Sequence, residues 1–146
     1  MRIILDTNLL ISSILTPDGK PATILNDILA GTFTLVISSE IIEEVNKVLQ
    51  YPKLAKLLKK KGVYPEKIEA LLHKLTVIGV ITPGSLKLDV IQADPANNMI
   101  LACAIEGEAD FVISGVHHLT QLKAYHGIRI IDPATFLKIC AEGEKA

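Results

Sequence analysis

The chain has few aromatic residues, few cysteines and no long apolar segment, and each shortage excludes a class of protein. Its 146 residues contain no Trp, and aromatic residues make up 4% of the total. The core must therefore consist of Ile, Leu, Val and Ala, which favours helices packed on a parallel sheet. The longest apolar run, residues 99–105, is too short to cross a bilayer. Asp6 and Asn8 interrupt the opening apolar stretch, unlike a signal peptide, so we expect no membrane partner.

The net charge and the cysteine content further limit the kinds of protein that this chain can be. Fifteen basic and sixteen acidic residues give a net charge of −1, which does not favour wholesale polyanion binding but leaves room for a local basic patch. Hydrophobic residues make up 49% of the chain against 21% charged, so the chain is not disordered. Cys103 and Cys140 lie in apolar helical patterns, which indicates buried thiols in a reducing cytoplasm rather than a disulfide or a metal site.

Short runs rich in Ile and Val alternate with helical patterns along the chain. The predicted strands are residues 2–5, 34–37, 77–81, 111–114 and 128–131. The predicted helices lie near residues 8–15, 21–30, 39–50, 53–61, 65–75, 96–106, 117–123 and 133–142. This alternation predicts a single α/β domain over residues 1–146, a three-layer α/β/α sandwich around a parallel sheet of four to five strands.

The segment 53–75 departs from the alternation because it offers two helical patterns with no strand between them. We expect a helical hairpin that projects from the sheet. Its lysines at positions 53, 56, 59, 60 and 61 could touch phosphates. A solvated helix face is the favoured interpretation of such a run.

Asp6 is the polar residue whose position is most clearly predicted, because it directly follows the first predicted strand and a helical pattern starts beside it. Open α/β sheets bind ligands at the carboxyl ends of their strands. In the predicted helix 39–50, Glu43 should face solvent, whereas Glu44 falls at the border of the apolar face and could point towards Asp6. A surface glutamate whose stem covers apolar atoms is the simpler interpretation of Glu44.

Two later segments also carry polar groups that could belong to a site. Asp94 is typical of a helix N-cap before Pro95, and Asn97 and Asn98 could cap in the same way. The apolar helix that follows should be buried in the protein or in a subunit interface, which suggests a homodimer or partner complex.

The second of these segments begins at the end of the predicted strand 111–114, where Ser114 can donate a hydrogen bond. His117 and His118 are adjacent, so they cannot easily share a metal.

Together these segments, in this order, resemble a PIN-domain protein, of the kind often found as the toxin of prokaryotic toxin–antitoxin pairs. The resemblance spans nearly the whole chain, and no single segment would establish it. The matching segments are residues 5–12, 39–45, 48–49, 52–53, 94–95, 98, 101–102, 104, 109–110, 114–115, 132–133 and 136–137.

The resemblance implies cleavage of single-stranded RNA that depends on Mg²⁺ or Mn²⁺, and an antitoxin protein as a further partner. Its acidic cluster would map to Asp6, Glu44, a position in 97–98, and position 116. Such a site needs hard oxygen ligands for the cation, which activates water for the displacement at phosphorus. Asn8, Ser114 and Asn98 resemble the polar residues that orient ligands or substrate.

Two of the four acidic positions differ from the family pattern. Asn97 and Asn98 stand where the family usually has at least one Asp, and Val116 stands where it usually has Asp. Asn97 still offers a carbonyl oxygen to a metal, and Asp94 could substitute as a third carboxylate. Two interpretations follow: a ribonuclease with reduced activity through Asp6, Glu44 and Asp94, or an inactive relative that binds RNA or a protein. A receiver-like domain would need a second acidic residue beside Asp6, and the sequence has none.

Overall fold

Strands and helices alternate along most of the chain in the computed structural model, which describes residues 1–88 and 95–145. Within these ranges the strands are β1 (Arg2–Leu5), β2 (Thr34–Ser38), β3 (Val80–Thr82), β4 (Phe111–Ile113), β5 (Ala124–Tyr125) and β6 (Ile128–Ile131). The helices are α1 (Thr7–Leu15), α2 (Lys20–Leu29), α3 (Ser39–Leu49), α4 (Pro52–Lys60), α5 (Pro65–Ile78), α6 (Pro95–Glu106), α7 (His117–Thr120) and α8 (Pro133–Lys145).

The sheet has the strand order β3-β2-β1-β4-β6-β5. All neighbouring pairs are parallel except β5 and β6. The chain winds outward from β1 through β2 to β3 and then crosses back to β4, so the winding direction reverses between β1 and β4. A crevice at the carboxyl ends of two strands at such a reversal is the usual ligand site of an open α/β sheet.

Helices cover both faces of this sheet, which confirms the predicted three-layer α/β/α class. In β1, the consecutive residues Ile3, Ile4 and Leu5 are all buried. Because successive side chains of a strand point to opposite faces, both faces must be shielded from water. The same holds for β2, in which residues 35–38 are all buried.

The predicted parallel sheet is confirmed for the five strands β3, β2, β1, β4 and β6, and β5 adds a sixth, antiparallel strand at the edge that was not predicted. β5 has two residues, too few to produce an alternating pattern in the sequence. A turn at His126 and Gly127 joins it to β6, and both residues have positive φ, 50° and 77°. Two consecutive positive φ values are typical of the tight turn that matches the twist of a hairpin.

The segment between α3 and β3 forms the predicted helical hairpin, made by α4 and α5. The predicted strand 77–81 was wrong in its first half, because α5 continues to Ile78 and the strand covers Val80–Thr82. The backbone N–H of Gly79 donates to Leu75 O at 2.9 Å, so helical bonding persists through the β-branched Val77 and Ile78. Helix 117–123 was also too long, because α7 ends at Thr120.

The apolar helix α6 is buried within the chain itself. It contacts β1, β2 and β4, and Ile100, Leu101 and Cys103 are almost fully inaccessible. Because this burial needs no second subunit, α6 gives no support to the homodimer, which stays a prediction. Burial raises the pKa of the Cys103 thiol to about 11, consistent with an unreactive core thiol. In the described part of the chain, no helix is both long and apolar enough to span a membrane.

Gly107 allows α6 to pack closely against the sheet, and its substitution provides a test of this packing. A Cβ at Gly107 would lie 2.2 Å from Val36 Cγ1 and 3.1 Å from Thr82 Cγ2. We expect Gly107→Ala to lower the free energy of unfolding by about 1–2 kcal/mol through overpacking. Gly143→Ala is the matched control, because no atom of the described residues lies within 4 Å of a Cβ built there. Chemical denaturation measures both, and equal effects would contradict the packing argument.

Candidate functional site

Asp6 lies where β1 ends and α1 begins, as the sequence predicts. Its backbone N–H donates to Ile113 O of β4 at 3.1 Å, which fixes it between the two central strands. Its carboxylate Oδ1 accepts the backbone N–H of Leu9 at 2.7 Å and thereby caps α1. The side chain is buried, with 2% of its surface exposed. A carboxylate is therefore held rigidly at the reversal point of the sheet.

Ser114, at the carboxyl end of β4, holds the second oxygen of this carboxylate. Its hydroxyl Oγ donates to Asp6 Oδ2, and Oγ also accepts the backbone N–H of Val116 at 2.9 Å. Burial nevertheless raises the pKa of Asp6, because the loss of hydration outweighs the hydrogen bonds from Ser114 and the backbone. The charged form of Asp6 would therefore gain from a nearby cation.

Glu44 approaches the same place from α3. Ile41 and Val45 of this helix are fully buried, and Ser38 caps it by accepting the Ile41 N–H at 3.2 Å. Glu43 is exposed, whereas Glu44 is half-buried. The helical face predicted for the two glutamates is therefore confirmed.

A cavity of about 220 Å³ brings the residues from these elements together. It lies beside Asp6, at the end of β1, and is bounded by α1, α3, α6 and Val116. Its lining residues are Asp6, Thr7, Asn8, Glu44, Val48, Ala96, Asn97, Ile100 and Val116. Residues from four separate segments of the sequence therefore share one cavity, which we call the Asp6 cavity.

The two positions without a carboxylate, Asn97 and Val116, also line the Asp6 cavity. Asn97 is 5% exposed, and its buried amide nitrogen Nδ2 has no hydrogen-bond partner in the described part of the chain. Val116 is half-buried at the N-terminus of α7 and provides no side-chain cap. At the four positions of the predicted acidic cluster, the cavity thus has two carboxylates, one buried amide and one aliphatic side chain.

Comparison of the sequence with known proteins shows the family to which the chain belongs. The PIN domain profile matches residues 2–117, which include the central part of the sheet and all the described residues that line the Asp6 cavity. The chain belongs to the PIN domain family. It is also 27% identical over 123 residues to the uncharacterized protein MJ1680 of Methanocaldococcus jannaschii, covering 84% of this chain and 76% of the relative.

The residues of this PIN domain provide a suitable donor set for one divalent cation. Asp6, Glu44 and Asn97 offer only oxygen donors, and Mg²⁺ is commonly bound through one or two carboxylates with water completing its shell. No described hydrogen bond fixes the amide nitrogen of Asn97, so the amide can turn its oxygen towards the cavity. In the described ranges no three His, Cys, Asp or Glu side chains are grouped to hold a metal.

The remaining predicted site residues divide between two cavities. Asn8 is exposed at the Asp6 cavity, and Ser114 is fully buried behind Asp6. Asn98 lines a neighbouring cavity instead, and Asp94 lies outside the described residues. His117 and His118 are exposed. The roles of Asn8, Asn98 and Ser114 towards a substrate stay predictions, as does the role of Asp94.

The neighbouring cavity, of about 300 Å³, was not predicted from the sequence. It lies at the carboxyl ends of β2 and β3, where Ser38 and Thr82 end their strands. Glu106 accepts the Ser85 N–H at 3.2 Å, and Glu40 pairs with Lys87 at 3.3 Å. The polar residues 38–40, which follow a predicted strand, were the sequence feature that could have indicated this cavity.

Proposed function

We propose that this PIN domain binds one Mg²⁺ or Mn²⁺ ion through Asp6, Glu44 and Asn97, and slowly cleaves single-stranded RNA in the cytoplasm. The toxin of a toxin–antitoxin pair is the biological role that we propose for it, with an antitoxin protein as its partner. The observation that supports this most directly is the shared Asp6 cavity, in which two carboxylates and a buried amide without a partner at Nδ2 come together.

Each residue contributes a distinct part of the proposed chemistry. A bound divalent cation would supply activated water and stabilise negative charge on the phosphate. Ser114 keeps the Asp6 carboxylate oriented, because its hydroxyl donates to Oδ2 while the Val116 N–H fixes the hydroxyl oxygen. Asn8 is exposed at the rim, where its amide can contact the RNA backbone. Two carboxylates in place of four weaken cation binding, so we propose slow cleavage.

Glu44 and Glu43 allow a matched test of this proposal. They are adjacent on α3, but only Glu44 lines the Asp6 cavity. We expect Glu44→Gln to lower Mn²⁺-dependent cleavage of a single-stranded RNA by about tenfold or more, because a charged ligand of the cation is lost. Glu43→Gln should leave the rate unchanged. Single-turnover cleavage on denaturing gels measures both, and equal losses in the two variants would disprove the assignment of Glu44.

A second candidate function is a non-catalytic PIN domain that binds RNA or a protein partner. Val116 favours it, because an aliphatic side chain faces the Asp6 cavity and offers no donor to a cation. In this case the wild-type protein and Asp6→Asn both fail to cleave RNA in Mn²⁺, although RNA or protein binding persists. Cleavage that vanishes in Asp6→Asn supports the nuclease instead.

A further inference from the structure

Positive charge is concentrated in one segment of an otherwise balanced chain. Between Glu44 and Glu66 the sequence has six lysines and no Asp or Glu, although the whole chain carries a net charge of −1. Most of these lysines belong to α4 or follow it directly. A basic segment without interleaved acidic residues is the electrostatic footprint expected of a polyanion-binding surface.

The structure separates these lysines by what they contact. Lys61 donates to Leu15 O at 2.6 Å and so ties the end of α4 to the end of α1. Lys59 lines an apolar cavity between α3, α4 and α5. Lys47 belongs to α3, so Lys53, Lys56 and Lys60 remain on α4, and all three are exposed. In the part of the chain that the structure describes, none of these three forms an ion pair.

These three lysines form one stripe, which we call the lysine face. Their spacing of three and four residues places them on the same side of a helix. Leu58, the buried residue of α4, lies on the opposite side. Like charges at these spacings repel one another, so the lysine face stores a repulsion that a bound polyanion relieves.

Exposed aromatic side chains flank the lysine face on both sides in the sequence. Tyr51 precedes α4 with 47% of its surface exposed, and Tyr64 follows it with 55% exposed. Their phenol rings are available for stacking with unpaired bases, which every base can do because each has a π-face. A row of exposed cations in a segment that also carries exposed aromatic rings is suited to single-stranded nucleic acid more than to a duplex, whose bases are already stacked.

The first exposed aromatic residue, Tyr51, lies close in the chain to the wall of the Asp6 cavity. Val48 lines that cavity, and the N–H of Tyr51 donates to Val48 O at 3.1 Å. One turn of backbone therefore leads from the cavity wall to the first exposed aromatic residue.

We propose that the lysine face, together with Tyr51 and Tyr64, is the surface that binds single-stranded RNA and supplies most of the affinity. This inference extends the proposed function, because it names the binding surface that serves the Asp6 cavity. It does not depend on cleavage, because binding by cations and aromatic rings requires no metal ion. Binding measured in EDTA therefore tests it separately from the nuclease proposal.

The test is fluorescence anisotropy in EDTA with a labelled oligouridylate of about ten nucleotides, within the usual range of single-strand sites. Lys53→Gln/Lys56→Gln/Lys60→Gln is compared with Lys20→Gln/Lys123→Gln/Lys138→Gln. The control triple changes the net charge equally at three exposed lysines outside α4. Thermal melting of both triple variants checks that the fold is retained.

Removal of the lysine face should change both the affinity and its salt dependence. Three phosphate contacts predict a slope of about −2 in log K against log salt, or roughly a 20-fold weakening of the wild type between about 50 and 200 mM KCl. We expect the lysine-face variant to bind about tenfold more weakly at low salt and to lose most of this slope. The control triple should bind like the wild type. Equal losses in the two triple variants would overturn the proposal.

Tyr51→Leu/Tyr64→Leu distinguishes RNA from an acidic protein partner. We expect this variant to lose about fivefold or more in affinity for the oligouridylate, because base stacking is lost. Its binding to polyglutamate should not change, because that polymer has no bases to stack. The contrary result has two parts: polyglutamate displaces the labelled RNA as well as unlabelled RNA does at the same concentration of negative charge, and the tyrosine substitutions have no effect. In that case an acidic protein is the partner and the RNA assignment is wrong.

The two proposals can fail independently. RNA binding that depends on the lysine face, combined with no cleavage in Mn²⁺, removes the nuclease and leaves this inference intact. Mn²⁺-dependent cleavage combined with unchanged RNA binding by the lysine-face variant removes this inference and leaves the nuclease proposal intact.

Discussion

Asn97→Asp combined with Val116→Asp is expected to make the stability of this domain depend strongly on a divalent cation. Both positions line the Asp6 cavity, so the double variant places four carboxylates around one space of about 220 Å³. Without metal, their mutual repulsion and burial should lower the melting temperature below that of the wild type. Mn²⁺ should reverse this loss, because each carboxylate close to the ion strengthens its binding.

The expected size of this effect follows from electrostatics. Unit charges about 4 Å apart interact by roughly 4 kcal/mol at an effective dielectric constant near 20, and desolvation removes part of that gain. An affinity increase for Mn²⁺ of about 100-fold or more is the conservative expectation. The melting temperature measured against Mn²⁺ concentration reports this affinity, because a ligand that binds only the folded state stabilises it.

The matched control changes the same residue types at exposed positions. Asn26→Asp/Val77→Asp adds two carboxylates at exposed positions outside the Asp6 cavity. It should respond to Mn²⁺ like the wild type. If the cavity variant gains no more from Mn²⁺ than this control, positions 97 and 116 do not share a cation site with Asp6 and Glu44. Mn²⁺-dependent RNA cleavage should rise together with the stabilisation.

Asp6→Asn and Asp6→Ala are expected to separate the structural role of Asp6 from its charge. Asn can still cap α1 by accepting the Leu9 N–H at its oxygen, and its amide nitrogen can donate to Ser114 Oγ, whereas Ala removes the cap and leaves the buried Ser114 side chain without a partner at position 6. The lost cap and the lost hydrogen bond with Ser114 together predict that Asp6→Ala unfolds with about 2–4 kcal/mol less free energy than Asp6→Asn. Urea denaturation in EDTA measures this difference.

The stability of Asp6→Asn relative to the wild type depends on pH. The raised pKa of Asp6 means that the folded state binds this proton more tightly than the unfolded chain. Its stabilising contribution is therefore complete below the unfolded pKa of about 4 and is lost as pH rises through the folded pKa. Near neutral pH in EDTA, Asp6→Asn should be more stable than the wild type, and the gap should close on acidification. A less stable Asp6→Asn at neutral pH would contradict the effect of burial.

Those site positions that depend on local patterns could be predicted from the sequence. The end of β1 follows from an apolar run that stops at Asp6, and the different exposure of Glu43 and Glu44 follows from the helical period of α3. The α/β class follows in the same way from the alternation of periodicities. Each of these inferences needs only residues that are close in the sequence.

Features that depend on distant contacts could not be predicted from the sequence. Asp6 and Ser114 are 108 positions apart, and only strand pairing shows that one holds the other. Asn97 and Asn98 are adjacent, yet they line different cavities, because successive side chains of a helix point about 100° apart. The Asn97 side of α6 borders the cavity at the end of β1, and the Asn98 side borders the cavity at the ends of β2 and β3. Gly107 directly follows α6, and only the folded structure shows that Val36 leaves no room for a side chain at this position.

The central claim is that the Asp6 cavity binds one divalent cation through Asp6, Glu44 and Asn97, and Mn²⁺ binding measured by electron paramagnetic resonance tests it most directly. The free-ion signal gives stoichiometry and affinity without any RNA. The account predicts one weak site in the wild type and in Glu43→Gln, and a loss of binding of about tenfold or more in Glu44→Gln. A wild type that binds no Mn²⁺, or a Glu44→Gln variant that binds it as well as the wild type, would contradict the account.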